Sequence, residues 1–376
     1  MTPLVVDLFA GAGGVDLGLR QLGFDPIGIE YNPAACATRA AAGLRTIRAD
    51  LNTWLPGPNA RIDGLWASPP CQDFSVAGKS LGRTGPRGRL VDIPPLWVDL
   101  YRPRWVVCEE VPNVLPIWHE HADYYRTLGY RTWTGTLNAA DYGLPQSRER
   151  AFLLASLDMQ PVPPTPTHDR TPHPSLFGEP LKPWVTIAQA LGWHPELLDL
   201  GPLRIAGTYA NNLDGRTRAA WVFTRPSPTV TGSGCISSPS GFMSVRINGY
   251  ETGLIVHQCK NPVDLTSWPC EPYAPVPSAT DLPYFHKLAD EHQQPGPLML
   301  SLEHVLVLQG FPVGYPVQGN KSARFLQVGN AVPPPIAAAV CRQLVQTHSP
   351  IPVSTVDPEP AYVVDDDGQL ALFASV

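Results

Sequence analysis

Short apolar runs alternating with helix-length stretches limit this chain more than any other feature. LVVDLF (4–9), IGIE (27–30), IDGLWA (62–67), WVVCEE (105–110), YRTWTGTLN (130–138) and AFLLAS (151–156) read as strands. Between the first two, Val15, Leu19 and Leu22 fall at i, i+4 and i+7, the stripe of an amphipathic helix. Strand–helix alternation of this kind predicts an α/β fold with a doubly wound, mostly parallel sheet. Ligands of such sheets bind beyond the carboxyl ends of the strands.

The strand ends carry the chemistry. The first strand runs into DLFAGAGG, where Gly11, Gly13 and Gly14 allow a tight turn against a ligand at the start of a helix. The spacing is not GxGxxG, and a glycine turn alone is a weak signal. The second strand ends at Glu30, placed to accept both ribose hydroxyls of a nucleoside. Asp50, in RADLN, stands at the next strand end, either as an acceptor for an adenine amine or as a helix N-cap. Together they predict an adenosine-containing cofactor.

Cys71, in ASPPCQDFSVAG, sits directly behind two prolines. Prolines fix the backbone and stop regular structure, so this thiol is held on a rigid turn. A free cysteine is most often a small buried hydrophobe. Here CEEVPN puts Glu109 or Glu110 at the same sheet edge, one strand–helix unit away. A thiol beside a carboxyl group, over an adenosine cofactor, suits methylation of a pyrimidine at carbon 5. The thiolate adds to carbon 6 and makes carbon 5 nucleophilic, while the carboxyl group assists at N3. Cys108 lies within an apolar strand and reads as core.

These motifs, taken in order, resemble the DNA (cytosine-5)-methyltransferase family over nearly all of residues 4–345. DLFAGAGG is similar to its cofactor loop and PPCQDFSVAGK to its catalytic loop, with Cys71 at the nucleophile. EEVPNV is similar to its Glu-Asn-Val motif with Glu109 at the catalytic glutamate, although Glu110 replaces the usual Asn. That extra carboxylate either acts on its neighbour or points away. LNAADYGLPQSRER carries Arg148 and Arg150 in the arginine positions, and LQGFP and QVGNAVPPPIA resemble the closing motifs.

The resemblance implies a Rossmann-like lobe that uses S-adenosylmethionine, releases S-adenosylhomocysteine and needs no metal. It implies catalytic roles for Cys71, Glu109, Arg148 and Arg150. Arg150 would sit near O2 of the cytosine, and Arg148 would help place the catalytic loop or the thiol. Phe9, Gly11, Gly13, Gly14, Glu30, Tyr31, Asp50, Pro70 and Asn330 would hold the cofactor. Gln72, Ser75, Arg87, Arg89 and Thr229 would meet double-stranded DNA. A duplex hides its bases, so the target cytosine must be flipped out.

The chain is expected to divide into a catalytic lobe (1–156), a smaller irregular mixed/β target-recognition lobe (157–297), a return to the catalytic lobe (298–348) and a disordered acidic tail (349–376). Eight prolines in residues 161–183 mark the first change of texture. AAWVF (219–223), FMSVRI (242–247) and GLIVH (253–257) read as short strands, and helical pattern returns at 301–308 and 336–345. The net charge of −6 does not argue against DNA. Asp357, Glu359, Asp365, Asp366 and Asp367 carry five of those charges on the tail, leaving −6 + 5 = −1 for the rest. Residues 79–104 hold Lys79, Arg83, Arg87, Arg89, Arg102 and Arg104 against Asp92 and Asp99, and read as a mobile loop closing over DNA.

Three other readings differ in what they require. An RNA cytosine methyltransferase would share the catalytic lobe and differ in the recognition lobe. A silent DNA-binding regulator would lack catalytic residues, and none is missing. A nicotinamide dehydrogenase would need a different glycine pattern. Scattered cysteines and the absence of a basic leader at the N-terminus fit the cytoplasm. A monomer associated with the nucleoid is expected. Gln369–Phe373 (QLALF) resembles the short peptide by which bacterial replication and repair proteins dock on the sliding clamp.

Overall fold

The computed structural model describes residues 3–74, 81–172, 180–191, 204–206, 221–222, 226–229, 244–247, 250–252 and 302–345. GLIVH, Ser75 and the acidic tail with QLALF lie outside the described residues.

The apolar runs form the sheet. Its strands are β1 (Val5–Leu8), β2 (Ile27–Glu30), β3 (Thr46–Arg48), β4 (Gly64–Ala67), β5 (Trp105–Glu110), β6 (Arg131–Asn138) and, after the two-residue β7 (Gln146–Ser147), β8 (Glu149–Ser156). The order across the sheet is β3-β2-β1-β4-β5-β8-β6. The pairings from β3 through β5 are parallel, and β8 runs antiparallel to β5. β1, β4 and β5 are buried at every position. That is why they read as unbroken apolar runs rather than as alternating ones.

Local chemistry sets the helix ends. α1 (Gly14–Arg20) starts where Gly13 adopts φ 92°, a left-handed conformation that suits glycine. α2 (Pro33–Ala41) has the side chain of Asn32 accepting from the N–H groups of Ala34 and Ala35, with proline at its first position. α3 (Ile93–Tyr101) has proline in its first turn and ends at Arg102, φ 49°, just before Pro103. α4 (Leu115–Thr127) buries Trp118, His121, Ala122 and Tyr125. Trp118, Ala122 and Tyr125, with Trp97 and Val98 of α3, belong to the core on the sheet.

α3 corrects one expectation. Residues 79–104 are not a single loop, because residues 93–101 are helical with Trp97 fully buried. Arg83 is ion-paired to Asp92 and Glu120, and Arg104 to Asp158, so neither is a free cation.

The chain divides into two compact units, Met1–Leu137 with Glu149–Thr165 and Ile336–Val376, and Asn138–Arg148 with Pro166–Pro335. The second takes in residues 298–335, which the sequence assigns to the first lobe. The reason is local: Gln146 Nε2 donates to the Leu308 carbonyl (3.1 Å) and to Gln309 Oε1 (2.8 Å). This unit contains β9 (His168–Asp169), β10 (Lys182–Pro183) and the short α5 (Ile187–Ala190). It also contains β11 (Arg204–Ala206), β12 (Trp221–Val222), β13 (Ser227–Pro228), β14 (Ser244–Ile247) and β15 (Tyr250–Thr252). Antiparallel pairing makes the order β12-β11-β14-β15. Helices α6 (Leu302–Leu308) and α7 (Lys321–Asn330) follow, and α8 (Pro334–Val345) spans the boundary. Among the described residues no helix is long and apolar enough to cross a membrane.

Candidate active site

The strand order reverses between β1 and β4, because β2 and β3 lie on one side and β5 on the other. A crevice opens at such a switch point beyond the strand ends. The loop after β1 and the Cys71 turn after β4 flank it.

The loop after β1 is unusually bent. Phe9 has φ 60° and Gly11 φ 52°. A left-handed conformation is uncommon for a bulky residue and is retained where the surroundings impose it. Glu30 helps: its carboxylate accepts from the Gly11 N–H (2.8 Å) and from the Asn32 N–H (2.6 Å). Beside it Tyr31 is 68% exposed, a flat ring open to solvent. Asp50 follows β3, and its Oδ1 accepts from the backbone and side chain of Asn52, both at 2.9 Å. The carboxylates, the ring and the bent backbone are a donor and acceptor set that fits an adenosine. Gly14 is buried at the first position of α1.

β4 is followed by Ser68-Pro69-Pro70, and the chain then enters a single 3-10 turn, Cys71–Asp73. Ala67 pairs with Cys108, so the turn leaves the sheet beside the end of β5. Asp73 is buried and accepts from the N–H groups of Arg87 (2.9 Å) and Gly88 (2.8 Å). Asn113 Nδ2 donates to the Phe74 carbonyl (3.1 Å), tying the segment after β5 to this turn. Sequence reasoning missed Asp73 and Asn113 as positioning groups. Both lie inside the quoted motifs, and a short polar side chain beside a rigid turn is the available signal. Gln72 accepts from Arg87 Nη1, while Arg87 and Arg89 are exposed.

Glu109 is buried, and its Oε1 lies 3.3 Å from Arg150 Nε on the adjoining β8. The pairing of Glu109 with Phe152 and of Glu110 with Ala151 brings the two side chains within reach. Successive strand residues point to opposite faces. Glu110 therefore turns away from Glu109 and accepts from the Val111 N–H. Cys108 is fully buried, and burial pushes its thiol well up, out of reactive range.

In the second unit Arg148 is buried and donates to the carbonyls of Gly329 (3.1 Å) and Ala331 (3.3 Å), on either side of the exposed Asn330. Gln309 Nε2 also donates to the Ala331 carbonyl (2.7 Å). Thr229 donates to the Ser147 carbonyl (3.2 Å).

A doubly wound, parallel-rich sheet with a bent glycine loop at its switch point defines a Rossmann-like fold. The model of the C-5 cytosine-specific DNA methylase family matches residues 4–185 and 256–346. The chain is 30% identical over 227 residues to Type II methyltransferase M.AquIA of Picosynechococcus sp., covering 52% of this chain and 90% of that protein. It is 26% identical over 370 residues to Type II methyltransferase M1.HphI of Haemophilus parahaemolyticus, covering 93% and 88%. The solved structure of S. pombe Dnmt2 methyltransferase superposes with a TM-score of 0.58 at 16% identity, over 92% of this chain and 99% of that one. The chain belongs to the C-5 cytosine-specific DNA methylase family. Its activity is methylation of DNA cytosine at carbon 5, with S-adenosylmethionine, which the family uses, as the methyl donor.

Proposed function

We propose that Cys71 is the covalent nucleophile and that Glu109 and Arg150 hold the cytosine it attacks. The observation that carries this reading is the buried Glu109–Arg150 pair at the end of β5, beside the strand end from which the Cys71 turn departs. The Cys71 thiolate forms a bond to carbon 6 of a flipped cytosine. Glu109 donates a proton or hydrogen bond at N3, which stabilises the charge that arrives there. Arg150, held by Glu109, is placed to donate to O2. Carbon 5 is now electron-rich and takes the methyl group. A base removes the carbon-5 proton, the carbon–sulfur bond breaks, and aromaticity returns.

S-adenosylmethionine supplies the electrophilic methyl group when bound. Phe9, Gly11, Gly13, Gly14, Glu30, Tyr31, Asp50, Pro70 and Asn330 would hold it, and the acceptor pattern of Glu30 with the open ring of Tyr31 supports this. Arg148 acts through the backbone on either side of Asn330.

Gln72, Ser75, Arg87, Arg89 and Thr229 contact the double-stranded DNA, and the region 157–297 reads its sequence as a target-recognition lobe. The enzyme works as a monomer on nucleoid DNA in a restriction–modification setting, as the relatives' designation as Type II methyltransferases suggests. The tail docks through Gln369, Leu370, Leu372 and Phe373 on the sliding clamp, two leucines and an aromatic being suited to an apolar groove.

The test is a duplex carrying 5-fluorocytosine at the target, found first by bisulfite sequencing of DNA from expressing cells. Fluorine cannot leave carbon 5 as a cation in the way the proton does, so elimination is blocked and the wild type should be trapped covalently only when donor is present. Cys71→Ser should bind the duplex without forming the adduct. Full methyl transfer by that variant refutes the assignment.

A further inference from the structure

A buried charge cluster lies directly beneath the loop after β1. Arg39, on α2, is fully buried, as is Asp16 in the first turn of α1. The two make a forked pair: Nη1 donates to Asp16 Oδ2 (2.7 Å) and Nη2 to Asp16 Oδ1 (2.6 Å). The remaining donors are engaged too. Nε donates to Thr46 Oγ1 (2.9 Å), Nη2 to the Arg45 carbonyl (3.0 Å) and Nη1 to the Ala10 carbonyl (3.3 Å).

The neighbouring strand is shaped around this guanidinium. A Cβ on Gly28 would stand 1.9 Å from Nη2 of Arg39 and 2.7 Å from the Cβ of Ala10. Asp7, on β1, completes the cluster. Its carboxyl group is fully buried and neither oxygen meets an N–H or O–H donor among the described residues. Burial and then the charge of Asp16 push its pKa well up, against the opposing pull of Arg39.

Stability alone is a poor reason for such a pair, because apolar residues of similar size often replace a buried ion pair without loss. What apolar residues cannot do is add a second, charged donor to the Ala10 carbonyl, which also accepts from the Gly13 N–H (3.0 Å). Ala10 lies between Phe9 and Gly11, both in left-handed conformation.

We propose that Arg39 is a positioning residue for the methyl donor: locked by Asp16, it grips the Ala10 carbonyl and keeps the bent loop preformed to receive the adenosine. This rests on the reading above that the cofactor binds at this loop. Arg39→Met alone would strand Asp16 as an unpaired buried charge, so the informative variant is the double Asp16→Leu/Arg39→Met. Gly28→Ala displaces the guanidinium without removing it.

The experiment measures S-adenosylhomocysteine binding by calorimetry, thermal melting and steady-state kinetics on the full chain. The double variant should melt near the wild type yet bind about ten-fold more weakly, the scale of one lost charge-assisted hydrogen bond. The KM for S-adenosylmethionine should rise by about the same factor with kcat little changed, as expected for lost uniform binding. Gly28→Ala should move in the same direction and decides the matter if the double variant does not fold. Phe9→Ala and Glu30→Ala serve as controls. If they also leave binding intact, the cofactor reading itself fails. If they weaken it while the double variant and Gly28→Ala bind like the wild type, Arg39 is only structural and the proposal is overturned.

Discussion

Replacing Glu109 by Gln keeps the shape of the side chain and one carbonyl oxygen but removes the acid. In the structure Glu109 Oε1 lies 3.3 Å from Arg150 Nε, and the two side chains are 8% and 12% exposed. The glutamine oxygen can still accept from Arg150, so the change converts an ion pair into a hydrogen bond from the same cation to a neutral acceptor. Such a change costs on the order of 1–2 kcal/mol of stability. For a chain of this size that is a fall of only a few degrees in Tm. The chemistry should suffer far more. Losing general acid assistance lowers the rate by roughly 10²–10⁴-fold. That is about 3–5 kcal/mol on the barrier. The assay is single-turnover transfer of a tritiated methyl group to a target duplex, with thermal melting in parallel. A folded variant with unaltered turnover and a weaker affinity for S-adenosylmethionine would refute the placement of Glu109 at the base.

Other outcomes follow from the same geometry. Asp73→Ala removes the acceptor for the N–H groups of Arg87 and Gly88, and should cost about 1–3 kcal/mol in the turn after Cys71. Limited proteolysis within residues 82–92 should then quicken. Burial pushes the Asp92 carboxyl up, but hydrogen bonds and charge from Arg83 outweigh this and hold its pKa below the ordinary 3.8. Its stabilising contribution is therefore complete above about 3.8 and disappears as the pH falls through the lowered value. Asp92→Asn should weaken the acid dependence of melting there, and an unchanged acid limb counts against the Arg83 clasp. Grafting residues 157–297 into a related enzyme should carry sequence preference with it; an active chimera that keeps its host's preference refutes the recognition assignment. A peptide of residues 362–376 should bind the host's sliding clamp and lose binding after Leu372→Ala and Phe373→Ala. No binding at ~100 μM removes that proposal.

The sequence by itself determined the parallel sheet, because buried central strands must be apolar runs and their ends must carry the polar residues that a ligand needs. It also determined the family, since DLFAGAGG, PPCQ, EEVPNV and QSRER stand in one order. The backbone-imposed features were equally legible: Gly13 at the start of α1, and the prolines before Cys71. Only the tertiary structure decided the partners. Arg39 and Asp16 are 23 residues apart, and no local pattern says that α1 and α2 bring them together over β2. Arg83 looked like a free cation in a basic run until α4 supplied Glu120 and the chain supplied Asp92. Glu110 beside Glu109 looked like an electrostatic neighbour, yet the strand turns the two to opposite faces. Arg148 and Asn330 lie far apart in sequence, and the hydrogen bonds to Gly329 and Ala331 join them. Periodicity and turn chemistry are local and can be read from the order of residues. The pairing of charges depends on which elements meet, and that is decided by burial of the apolar faces during folding.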